Sequence, residues 1–142
     1  MPLDHSSLNE AEADIRAQAN GILVRGVFNL ASELKMMSPV DTGRFRGSWV
    51  ISRAEVDPLP LPPGEYPSTE SVDLVGMTIS NIEIGEDFQV VNNVEYAPYL
   101  DEATHLPDHE TGWVGKTGER HIEQINNELA GMVQETLIRH LG

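Results

Sequence analysis

His105, Asp108, His109 and Glu110 fall in one short stretch, and two imidazoles beside carboxylates are the donor set that zinc or another divalent cation takes. Their setting argues the other way. The stretch is a loop broken by Pro107, and without a helix the four-residue step from His105 to His109 does not set two ligands on one face. The plainer expectation is a solvated acidic loop whose imidazoles titrate near about pH 6.5. Ser38, His121 and Asp41 are the residue types of a hydrolytic triad, but no serine stands in the Gly-x-Ser-x-Gly elbow that would expose a nucleophile. Neither a Gly-x-x-x-x-Gly-Lys-Ser/Thr phosphate loop nor a dinucleotide fingerprint occurs. Two carboxylates at glycosidase separation are available to any chain this acidic, so Glu83 and Glu86 discriminate nothing on that ground. The expectation is a protein that is not an enzyme, with no catalytic, cofactor-binding or metal-ligating residues.

Two other segments join polar residues to aromatic ones. In the first, Ser38 to Trp49, Asp41 and Thr42 can close a side-chain turn, Gly43 can take a positive φ, and Arg44 and Arg46 can pair with carboxylates. In the second, Val91 to Thr104, Asn92 and Asn93 can satisfy turn amides while Tyr96 and Tyr99 offer amphipathic area suited to an interface.

The elements that must carry these segments follow from periodicity. Leu8, Ala11, Ile15, Ala19, Ile22, Leu23, Val27, Leu30, Leu34 and Met37 recur at helical spacing, predicting a long amphipathic helix capped by Ser6 or Ser7 and stopped by Pro39. Gly21 and Gly26 weaken its middle by up to about 1 kcal/mol each, which points to a bend or a close helix contact there. Gly47 to Val56 reads as a strand. Residues 57–67 hold Pro58, Pro60, Pro62, Pro63 and Pro67, too many missing amide donors for a helix or central strand, and predict an extended surface loop, functional or mobile. A short helix from Ser68 to Ile82, a strand at Phe88 to Val91 and a helical turn from Tyr96 to Ala103 come next. Gly112 and Gly115 bracket a loop, and Ile122, Ile125, Leu129, Met132, Val133, Leu137 and Leu141 align on a final helix from about Gly118 to Leu141.

These elements specify a single α+β domain over residues 1–142: long N- and C-terminal helices packed on a small, mainly antiparallel sheet. With 39% hydrophobic residues, 12 Gly and 9 Pro, its core should be modest. No run of about 18 apolar residues occurs and the first residues are polar and acidic, so neither a membrane span nor a signal peptide is expected. The absence of cysteine suits a reducing cytoplasm. Of the net charge of −14, all lies beyond Arg53: residues 54–142 hold three Lys/Arg against 17 Asp/Glu, and Ala54 to Gly115 hold 13 carboxylates and no Lys or Arg. Such a surface repels phosphate backbones and disfavours ordinary nucleic-acid binding.

Taken together and in this order, the two polar-aromatic segments resemble the neck and tail-completion family of long-tailed bacteriophages. Pro39, Val40, Asp41, Thr42, Gly43, Arg44 and Phe45 look like that family's first motif, and Asn92, Tyr96, Ala97, Leu100, Asp101 and Thr104 its second; Ala103 stands where the pattern has Gly. The resemblance implies a virion protein, assembled in the host bacterial cytoplasm, that forms a homo-oligomeric ring of six or twelve copies at the head-tail junction. Its partners would be the head connector and the tail tube or terminator proteins, with DNA passing through unbound. On this reading Asp41, Thr42, Arg44, Arg46, Asn92, Tyr96, Tyr99 and Asp101 form subunit contacts, with Arg44 and Arg46 reaching a neighbour's carboxylates. Glu83, Glu86 and Asp87 would line the DNA passage. Competing expectations are a tail terminator capping the tube, a small acidic hydrolase, and an acidic adaptor that mimics DNA.

Overall fold

The computed structural model describes residues 5–40, 42–66, 85–102 and 109–142, and its element order is α1 (His5–Met37), α2 (Arg44–Gly47), β1 (Val50–Arg53), β2 (Phe88–Val91), α3 (Ala97–Asp101) and α4 (Trp113–Leu141). Helices α1 and α4 have 33 and 29 residues, about 50 and 43 Å long at the usual rise per residue. They pack antiparallel: Asp14 meets His140, Gln18 meets Thr136, Arg25 meets Glu128 and Glu33 meets His121. Between them Ala19, Ile22 and Met132 are buried, with Ile15, Ile125, Leu129 and Val133 packed around. At Gly26 the helices come close, because a Cβ there would lie 2.4 Å from the Ile125 side chain; around Gly21 there is open space. Of the two glycines, Gly26 thus serves the close contact.

The antiparallel pair β1–β2 aligns Val50 with Val91 and Arg53 with Phe88. Ile51 is buried against Val27 and Ala31 of α1, with Phe88 and Val90 beside it. Beyond the sheet, Leu30, Leu34, Phe45, Trp49, Val94 and Trp113 form the main core. An α+β architecture with long helices on a small two-stranded antiparallel sheet agrees with the sequence reading. Among the described residues no helix is long and apolar enough to cross a membrane.

Several boundaries differ from the expectation. α1 is already helical at His5, so Ser6 and Ser7 lie in the helix instead of capping it. The strand expected from Gly47 shrinks to four residues, because Arg44 to Gly47 form the helical turn α2. α4 begins at Trp113, before Gly118, and Gly115 lies inside it. The reason is tertiary. Gly112 turns the chain with φ +76°, and the Asp101 carboxylate accepts a hydrogen bond from the Val114 amide at 3.0 Å, satisfying one of the free N–H groups at the start of the helix and complementing its dipole. The helix expected between Ser68 and Ile82 lies outside the described residues.

Candidate functional site

The two polar-aromatic segments, some 50 residues apart in the chain, pack against each other. Gly43 starts the first with φ +85°, and the Thr42 hydroxyl accepts from the Arg44 amide at 3.2 Å. That turn lays Arg44 and Phe45 inward. Arg44 Nη1 donates to Glu95 Oε1 at 2.7 Å, and the guanidinium sits 5.9 Å from the centre of the Tyr96 ring. Asn92 Nδ2 donates to the Phe45 carbonyl at 2.7 Å, and its oxygen accepts from the Val94 amide. The Phe45 ring meets Trp49 edge-on at 5.7 Å and Tyr96 at 6.4 Å. The hydrogen bond to Arg44 holds the Glu95 carboxyl below the ordinary glutamate range, and the same bond raises the Arg44 pKa.

The proline-rich loop is fastened to this cluster. The expectation is an extended surface loop, functional or mobile, and its described part, residues 57–66, makes hydrogen bonds to the cluster. Leu61 is held at both ends of its peptide unit, its carbonyl accepting from Arg44 Nε at 2.8 Å and its amide donating to Ser48 Oγ at 3.0 Å. Asn93 Nδ2 donates to the Pro58 carbonyl, Gln89 Nε2 to the Val56 carbonyl, and the Tyr66 amide to the Thr42 carbonyl. Prolines cannot donate amide protons, so side chains of β2, α2 and their flanks donate to the loop's carbonyls. A cleft of about 430 Å³ remains between turn and loop, lined by Val40, Gly43, Phe45, Pro63, Tyr96 and Leu100 among others.

Arg46 also serves the end of α1. It donates to the carbonyls of Lys35 at 2.9 Å and Met36 at 3.1 Å. Ser38 Oγ donates to Leu34, and His109 Nε2 to Met37. The last four carbonyls of α1, which no helix can satisfy internally, are all taken, with a guanidinium at the negative end of the dipole. Ser38 also accepts from Trp49 Nε1 at 2.7 Å, while the His121 ring bonds Glu33, so these hydrogen bonds do not join Ser38 to His121. Asp41 lies outside the described residues, as do Glu83, Ala103, His105 and Asp108.

Asp101 caps α4 with its side chain and contacts the loop before it with its carbonyl, which accepts from Gly112. Tyr96 is half-buried in the cluster, whereas Tyr99 is 74% exposed. Arg44, expected to reach a neighbour's carboxylate, is buried and bound within its own chain. Glu86 lies 4.0 Å from Arg53, and the Asp87 carbonyl accepts from the Ala54 amide beside the sheet. Glu110 pairs with Lys116 at 3.1 Å, and among the described residues no three His, Asp or Glu side chains converge on a metal site.

Comparison with protein-family models, curated proteins and solved structures finds no match. The geometry of this chain must carry the functional reading. Residues that the sequence reading did not single out do much of the fastening: Glu95, Ser48 and Gln89. A usable signal was present for Glu95, a carboxylate inside the second segment facing a first segment that holds two arginines.

A second arrangement was not foreseen. α4 carries two Arg-His pairs, Arg120-His121 and Arg139-His140, and each grips one carboxylate of α1. Arg120 donates to Glu33 at 2.7 Å with His121 on its other oxygen, and Asp14 receives His140 at 2.9 Å with Arg139 at 3.6 Å. Both carboxyls are held below their ordinary range, Glu33 first by the Arg120 hydrogen bond and Asp14 first by that of His140.

Proposed function

We propose that this chain is a structural subunit of a tailed bacteriophage particle, forming a ring of six or twelve copies at the head-tail junction that joins the tail tube to the head connector. The observation that carries this reading is that the two segments resembling the neck and tail-completion family meet in one cluster. Arg44 binds Glu95, Asn92 binds the Phe45 carbonyl, and Phe45 packs on Tyr96. Two short motifs far apart in a chain carry more weight as one packed unit than as separate matches. The chemistry of the cluster is that of a scaffold: its polar groups are spent on one another and on the proline-rich loop.

The charge distribution favours the same reading. With 13 carboxylates and no Lys or Arg from Ala54 to Gly115, the segment that holds Glu83, Glu86 and Asp87 would line a passage that DNA crosses without sticking. Tyr99 supplies exposed aromatic area of the kind that subunit contacts use. Arg44 serves the fold of its own subunit, so charge reversal there tests folding before assembly.

The test is to measure the mass of the purified chain in solution, alone and with tail tubes lacking heads, and to image the product by negative stain. Rings with a central opening, on their own or seated at the head-proximal end of the tube, are the expected outcome. A chain that stays monomeric and leaves the tubes bare would sink the proposal.

A further inference from the structure

We infer that the ring contact is made by the exposed α3 turn of one copy seated on the outer face of α1 of the next, with Tyr99 against Phe28; the inference rests on the ring reading above. Tyr99 is 74% and Phe28 47% exposed. Among the described residues they are the aromatic members of a larger set of exposed hydrophobics that includes Met36 and Leu59, and aromatic side chains with Arg are the residue types enriched in contacts between chains.

Charge sets which surface meets which. Around Tyr99 stand Glu95, Asp101 and Glu102, in a stretch of chain with no Lys or Arg from Ala54 to Gly115. Two such turns would repel each other. α1 is the opposite: from Ile15 to Ser32 it holds no carboxylate, and its charges there are Arg16 and Arg25. In a chain with 23 Asp and Glu, this helical stretch stands out as open to an acidic partner. Phe28 lies three residues beyond Arg25, one turn along the same side of the helix. The Arg25 side chain is 63% exposed and reaches Glu128 at 3.4 Å, a loose pair that leaves its donors open to a second carboxylate.

The two surfaces belong to different elements, as a head-to-tail contact that closes into a ring requires. Glu102 of the incoming turn is exposed and is placed to meet Arg25, while Asp101 stays engaged with the start of α4. The contact is therefore an aromatic pair flanked by opposite charges.

The experiment uses Phe28→Glu and Tyr99→Glu in the full chain, each checked for unchanged circular dichroism, and reads mass by sedimentation. The wild-type chain should form oligomers, and each variant alone should lose them, with at least a tenfold rise in the concentration needed for association. Mixed one to one, the variants should recover a complex of two chains, because one copy keeps an intact Phe28 face and the other an intact Tyr99 turn. Wild-type oligomers that neither substitution weakens, or variants that stay monomeric when mixed, would overturn this contact while leaving the ring reading standing. A wild-type chain that associates neither alone nor on tail tubes lacking heads would overturn both.

Discussion

A methyl group at position 43 would have to sit 2.2 Å from the Tyr66 carbonyl oxygen, and the residue would have to hold φ +85°. Left-handed geometry costs a non-glycine residue about 1–2 kcal/mol, and here the obstructing atom is backbone that cannot swing away. Gly43→Ala is therefore expected to lower stability by at least about 2 kcal/mol and to loosen residues 57–66, read as a lower denaturant midpoint and faster amide exchange at Tyr66, whose amide bonds Thr42. An unchanged midpoint would show that the loop is not seated on the turn. That Gly43 would take a positive φ was readable from the sequence, because Thr42-Gly43 is turn chemistry. That the proline-rich loop lies on it was not, since the side chains that hold the loop, Ser48 as acceptor and Gln89 and Asn93 as donors, are short polar ones whose partners are distant in the chain.

Between the two long helices, the glycines separate propensity from packing. Gly21→Ala meets open space and should add up to about 1 kcal/mol by the helix preference of Ala over Gly. Gly26→Ala makes the same backbone gain but drives its Cβ to 2.4 Å from Ile125 Cγ1, so it should be the less stable of the two by melting temperature. Equal shifts would mean the helices are not packed at Gly26. The Arg-His pairs make a different expectation at this scale. Glu33 and Asp14 have pKa values depressed in the folded chain from ordinary values of 4.5 and 3.8, so the stability they contribute is full above those values and lost as pH falls through the lower folded ones. Denaturant midpoints should fall below about pH 4.5. Glu33→Gln should lower the midpoint at neutral pH and flatten part of that acid slope; a variant with an unaltered slope would remove Glu33 from the account. α1 was readable because its apolar residues repeat at helical spacing and Ser38-Pro39 stops it, and β2 because Phe88, Val90 and Val91 are strand-favouring types. The start of α4 was hidden because its cap comes from Asp101, not from a residue next to it in sequence.

At the scale of the whole molecule, the two long helices pair with each other, and the chain between them supplies the sheet, the loop and the turn that carry the candidate site. How the end of α1 is sealed has a consequence in time. Its last carbonyls await Arg46 and then His109, and its long face awaits α4, whose ion pairs with it span 87 to 126 residues of chain. A chain emerging from the ribosome at about 5–20 residues per second carries α1 without its partner for several seconds or more. During that interval Ala19 and Ile22 have nothing to lie against, because the residues that cover them, Met132 with Ile125, Leu129 and Val133, belong to α4, and closing so distant a pair is slow. Completion of the fold thus waits on synthesis of the later helix: a nascent chain halted before residue 113 can set Leu30 and Leu34 on Phe45 and Trp49 but cannot bury the Ala19 and Ile22 end of α1.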